Sequence, residues 1–104
     1  MHSRIEKIKA FLKDTPHDSF LNHALGLEYI KLENDIEALG CFEVNMMYNP
    51  GYVATYYHLA KLLERLGEKE KAINIYQLGM EKAKAAKDMH TYNELQYALE
   101  DLTD

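Results

Sequence analysis

Residues 53–86 read VATYYHLAKLLERLGEKEKAINIYQLGMEKAKAA, and residues 19–52 read SFLNHALGLEYIKLENDIEALGCFEVNMMYNPGY. With one stretch laid on the other, Leu25-Gly26-x-x-Tyr29 meets Leu59-Ala60-x-x-Leu63, Ala38-x-x-x-Phe42 meets Ala72-x-x-x-Tyr76, and Pro50 meets Lys84, each pair 34 residues apart. Leu39 and Ile73, Met46 and Met80, and Pro16 and Pro50 repeat the same step. A fixed period of roughly 20–50 residues signals stacked supersecondary units in place of one globular core.

Outward from these copies the chain reads as helix, with no sustained strand alternation. A first helix spans about Ser3–Lys13, with Ile5, Ile8, Phe11 and Leu12 on one face, and Asp14-Thr15-Pro16 stops it because the residue before proline is pushed out of the helical region. Asp18 or Ser19 caps a second helix to about Leu32 by accepting from otherwise unsatisfied backbone N–H groups. After the turn Glu33-Asn34-Asp35 a third helix runs to about Tyr48 and breaks at Asn49-Pro50-Gly51. A fourth covers about Val53–Leu66 and ends at Gly67, the residue suited to a left-handed terminus. A fifth starts at Glu68 or Lys69 and reaches Ala83–Ala86. Asp88 caps a sixth that carries Met89, Tyr92, Leu95, Ala98, Leu99 and Leu102, with Asn93, Glu94, Gln96, Glu100 and Asp101 toward water.

These residues resemble the tetratricopeptide repeat, a 34-residue helix–turn–helix unit, in a small protein of bacterial type. The resemblance implies an all-α tetratricopeptide-repeat solenoid of antiparallel helix hairpins, with two full repeats and a capping helix at each end. It divides a single domain, 1–104, into an N-terminal half-repeat helix (1–18), repeat 1 (19–52), repeat 2 (53–86) and a C-terminal capping helix (87–104). The physical basis is the alternation of small residues (Gly26, Ala38, Ala60, Ala72, Gly79), which let helices approach, with large ones (Tyr29, Phe42, Leu63, Tyr76), which fill the space beside them. Two repeats alone fall short of the three or so units such arrays need, so the end helices are expected to act as caps. The first copy departs from the pattern at Asn22, where an aromatic is usual, and at Asn45, where a small residue is usual. Leu21 or Phe20 is expected to compensate for Asn22.

In this family the first helices of successive repeats line a concave groove that receives a peptide or a partner helix. Carried over, the groove residues are Phe20, His23, Leu27, Ile30 and Lys31 in the first copy and Ala54, Tyr57, His58, Lys61, Glu64 and Arg65 in the second, with Thr91, Leu95 and Ala98 added by the last helix. Phe20, Leu27, Ile30 and Tyr57 supply apolar contact, since exposed apolar surface rimmed by charge marks interaction sites. The family subset that grips a chaperone's C-terminal carboxylate uses Lys, Asn and Arg. The matching slots hold His23, Leu27 and His58, so no such clamp is expected.

The implied function is a non-catalytic protein-interaction module with a protein or peptide partner, and self-association into a homodimer or larger scaffold is the alternative. Composition narrows the rest. Among 104 residues, 47% are hydrophobic and 28% charged, and the formal charge is −5 with acids and bases interleaved. Nucleic-acid affinity rests on neutralising phosphates with Lys and Arg, so neither nucleic acid nor an anionic membrane is an expected partner. No run approaches the ~20 apolar residues of a membrane span. The start, Met1-His2-Ser3-Arg4, lacks an apolar signal core, and the single Cys41 suits a reducing compartment, so a cytoplasmic location is expected. Cys41 reads as a small packing residue. His2, His17, His23, His58 and His90 lack metal-ligand spacing, so no metal is expected. No phosphate loop or nucleophile motif is present, so neither catalysis nor a cofactor is expected.

Overall fold

The computed structural model describes residues 3–104. They form α1 (Ser3–Leu12), α2 (Ser19–Lys31), α3 (Asp35–Tyr48), α4 (Ala54–Arg65), α5 (Lys69–Ala85) and α6 (Met89–Thr103), with no strand among the described residues. The described residues are all-α, as the repeat resemblance implies. The chain divides into two compact units, α1–α3 up to Tyr52 and α4–α6 from Val53 onward.

In the first unit α2 pairs along its length with α3, and α1 packs on α2. The core is Ile5, Ile8, Ala24, Leu25, Tyr29, Ala38, Cys41 and Phe42. Phe42 lies against the backbone of Gly26, where an added Cβ would overlap its ring. Arg4 and Lys31 both reach the Glu28 carboxylate, at 3.0 and 3.3 Å, and the first of these ties α1 to α2. Nothing needs to compensate for Asn22. Its amide is buried and donates to the carbonyls of Pro16 (3.0 Å) and Asp18 (2.9 Å). Phe20, expected to take over the aromatic role, is instead 62% exposed, and Leu21 is half-buried.

Asn45 is likewise satisfied. Its buried amide donates to the Ser19 carbonyl at 3.0 Å and its oxygen accepts from Asn49 at 3.2 Å, while Asn49 also donates to the His17 carbonyl at 2.6 Å. A buried amide with its partners in place joins the start of α2 to the end of α3 in one geometry. The His17 ring stacks on Tyr48 at 3.5 Å beside this network.

In the second unit α4 and α6 both pack on α5 and touch each other more lightly. Tyr56, Leu59, Ala60, Leu62, Leu63, Ala72, Tyr76, Ala83, Leu95 and Ala98 form its core. The caps follow simple chemistry. Asp18 accepts from the Leu21 N–H at 2.8 Å, and Asp88 accepts from the N–H and hydroxyl of Thr91 at 3.1 and 2.7 Å. Thr91, expected on the groove, thus belongs to a helix cap.

Candidate functional site

Each unit presents its own candidate surface. In the first unit the positions lie on α2, but they do not share one environment. Phe20 and Lys31 are exposed, Leu27 and Ile30 are half-buried, and His23 is buried. The His23 ring sits 6.0 Å from Phe42 and 5.4 Å from Tyr52, so its expected role on an open groove is corrected to that of a packed residue. A period-based alignment places Cα positions on a face. It does not say which side chain a neighbouring aromatic will cover.

In the second unit the structure brings α4 and α6 together around an open recess of about 420 Å³, lined by Tyr57, Lys61, Glu94, Tyr97, Ala98 and Asp101. Tyr57 is half-buried and meets the His58 ring edge-on at 5.4 Å. Lys61 holds its ammonium 5.8 Å from the centre of the Tyr57 ring and 3.8 Å from Glu64. Glu64, expected to orient a partner, also accepts from the buried Tyr76 hydroxyl. Burial, and after it the Glu64 carboxylate, raises the Tyr76 pKa, keeping that hydroxyl a proton donor. Ala54 and Arg65 lie exposed at the two ends of α4.

Burial pulls His58 below the ordinary imidazole range, and the charge of Glu94 acts in the opposite sense. The neutral ring is therefore favoured near neutral pH.

Leu95 is a second correction, because it is fully buried against α5. Its Cδ1 would stand 3.0 Å from a Cβ added at Gly79. On α6 it takes the buried role that Leu59 has on α4, two residues later than a 34-residue step allows. The longer α5, 17 residues against 14 for α3, carries the chain past the period. The same slip brings Tyr97, 72% exposed, and the carboxylates Glu94 and Asp101 to the recess. Sequence reading missed these three. Leu95 on Leu59, with Tyr92 on Tyr56, is the register that the packing selects, and the 34-residue period does not give it.

A second open recess, about 530 Å³, lies between α5 and α6 and is lined by Met80, Tyr92 and Leu99 with Gln77, Glu81 and Lys84. Among the described residues no three His, Cys, Asp or Glu side chains gather to hold a metal ion, and His2 lies outside them. Cys41 is buried, and burial pushes its thiol up to about 11. No helix among the described residues is long and apolar enough to cross a membrane.

No protein-family model and no curated protein matches the chain. Solved structures do. It is 40% identical to a tetratricopeptide repeat domain protein from Salinibacter ruber, over 84% of this chain and 88% of that one, with a TM-score of 0.80. A protein from Bordetella parapertussis is 25% identical over 95% of this chain and 86% of its own, with a TM-score of 0.81. The TPR2B domain of yeast Sti1, solved in a complex with pHsp70, shares the fold with a TM-score of 0.88 at 15% identity, over 95% of this chain and 79% of its own.

Proposed function

From a chain that belongs to the tetratricopeptide repeat family, we propose the function of a non-catalytic protein-interaction module that binds a peptide or helix of a partner protein. The observation that carries this reading is the α4–α6 recess, where two tyrosines stand beside charges of both signs on a concave surface. Such a mixture suits recognition, because aromatic rings supply contact area at low entropic cost while the charges fix orientation. The yeast domain of the same fold was solved with pHsp70, which supports a protein as the class of partner. In the first unit Phe20, Leu27, Ile30 and Lys31 offer a second strip on α2. A carboxylate-gripping mode is not part of the proposal, since His23 is buried and the charged form of His58 is disfavoured. A buried lone cysteine suits action in the cytoplasm.

The test is a random-peptide selection on the immobilised full chain, run in parallel on Tyr57→Gln. Tyr57 is half-exposed, so the variant should keep its unfolding midpoint and lose the enriched peptides. Equal enrichment on both proteins would sink the assignment of the recess.

A separate observation favours self-association as the second reading. Ile36 and Met47 are 71% and 73% exposed, three turns apart on one face of α3. Sedimentation across a concentration series distinguishes the two, since a strict monomer would exclude the homodimer.

A further inference from the structure

We propose that the α4–α6 recess is a receptor for a cationic side chain, and that the partner's segment is basic, with arginine seated between Tyr57 and Tyr97. This rests on the interaction-module reading above and names the chemistry of its partner. The first argument is charge. α6 carries Glu94, Glu100 and Asp101 and neither Lys nor Arg, in a chain of formal charge −5. Glu94 and Asp101 stand seven residues apart, two turns along one face and about 10 Å in rise, with Tyr97 between them. Among the described residues neither carboxylate forms an ion pair.

The second argument is internal to the site. The Tyr57 ring already has a cation in range, the Lys61 ammonium 5.8 Å from its centre, and that ammonium has Glu64 as a second partner at 3.8 Å. Lys61 can therefore stay with Glu64 while an incoming guanidinium takes the ring and the α6 carboxylates. Arginine fits better than lysine, because a planar guanidinium stacks on an aromatic face and forks onto a carboxylate at once. An acidic segment would meet two carboxylates against one ammonium, and an apolar one would desolvate those carboxylates without a partner.

The experiment reads the composition of peptides enriched on the full chain over Tyr57→Gln, then measures the best peptide by fluorescence anisotropy. Enrichment in arginine is the expected result. Glu94→Gln with Asp101→Asn should weaken binding roughly threefold to tenfold, as should citrulline in place of the peptide's arginine. Glu43→Gln with Glu70→Gln, two exposed carboxylates elsewhere, changes net charge equally and should leave affinity within about twofold. Lys61→Gln should tighten binding, because a like charge leaves the recess. Enrichment of acidic or apolar peptides overturns this inference and leaves the interaction module standing, as does equal loss from both carboxylate pairs. Enrichment that does not depend on Tyr57 overturns this inference together with the assignment of the recess, and an absence of any enrichment overturns the interaction module as well.

Discussion

At Gly79 the α5 backbone runs against Tyr56 and Leu95, and an added Cβ would stand 2.6 Å from the Tyr56 Cβ. The Tyr56 Cβ is fixed to its own backbone and cannot swing aside, so Gly79→Ala should destabilise the second unit by about 1–3 kcal/mol through overpacking. Gly40 is the internal control, a helical glycine with open space around its Cβ position. Gly40→Ala should gain about 0.5–1 kcal/mol, since alanine loses less backbone entropy on folding. Urea unfolding of both variants checks the pair, and equal effects would refute the packing account. The other single residue with a measurable signature is His58. Its folded pKa is lowered by burial, so the stability it supports is present above the ordinary value of 6.5 and is lost as pH falls below it. An NMR titration should place its midpoint below 6.5, and Glu94→Gln should move it lower still, because the carboxylate charge acts in the opposite sense. A midpoint at or above 6.5 would contradict the burial argument.

At the scale of the helix, three termini share one closure. Glu33, Gly67 and Lys87 adopt positive φ of 58°, 79° and 60° after α2, α4 and α5. In each case the next residue's N–H returns to a carbonyl five positions back: Asn34 to Tyr29 at 2.9 Å, Glu68 to Leu63 at 2.8 Å and Asp88 to Ala83 at 2.9 Å. Only Gly67 is a glycine, and a side chain in that conformation costs roughly 1–2 kcal/mol. Glu33→Gly and Lys87→Gly should each stabilise the chain by about 1 kcal/mol, read as a rise of a few degrees in melting temperature. A fall in either would mean that the side chain makes a compensating contact. The helix ends were legible because capping chemistry is local: Asp18, Gly67 and Asp88 act within a few residues of themselves. The register of α6 was not, because it depends on how far α5 runs before its cap closes.

For the second unit as a whole, α6 completes the core, since Leu95 and Ala98 are buried where α6 packs on α5 beside α4. Removing residues 88–104 should abolish cooperative unfolding of this unit, seen as loss of dispersed amide signals from α4 and α5, because repeat units depend on neighbours to bury their faces. Retained dispersion would show that the α4–α5 hairpin stands alone. By itself the sequence determined the all-α repeat, the six helices and the core slots of each copy, because a 34-residue period and local caps are properties of the chain read in order. Tertiary structure alone decided that His23 is covered, that Asn22 and Asn45 are satisfied in place, and that α6 turns Glu94, Tyr97 and Asp101 toward Tyr57 while burying Leu95. The reason is geometric. A helix shows a different face for each residue of register, at about 100° per residue, and only packing against a neighbour fixes which face is inside.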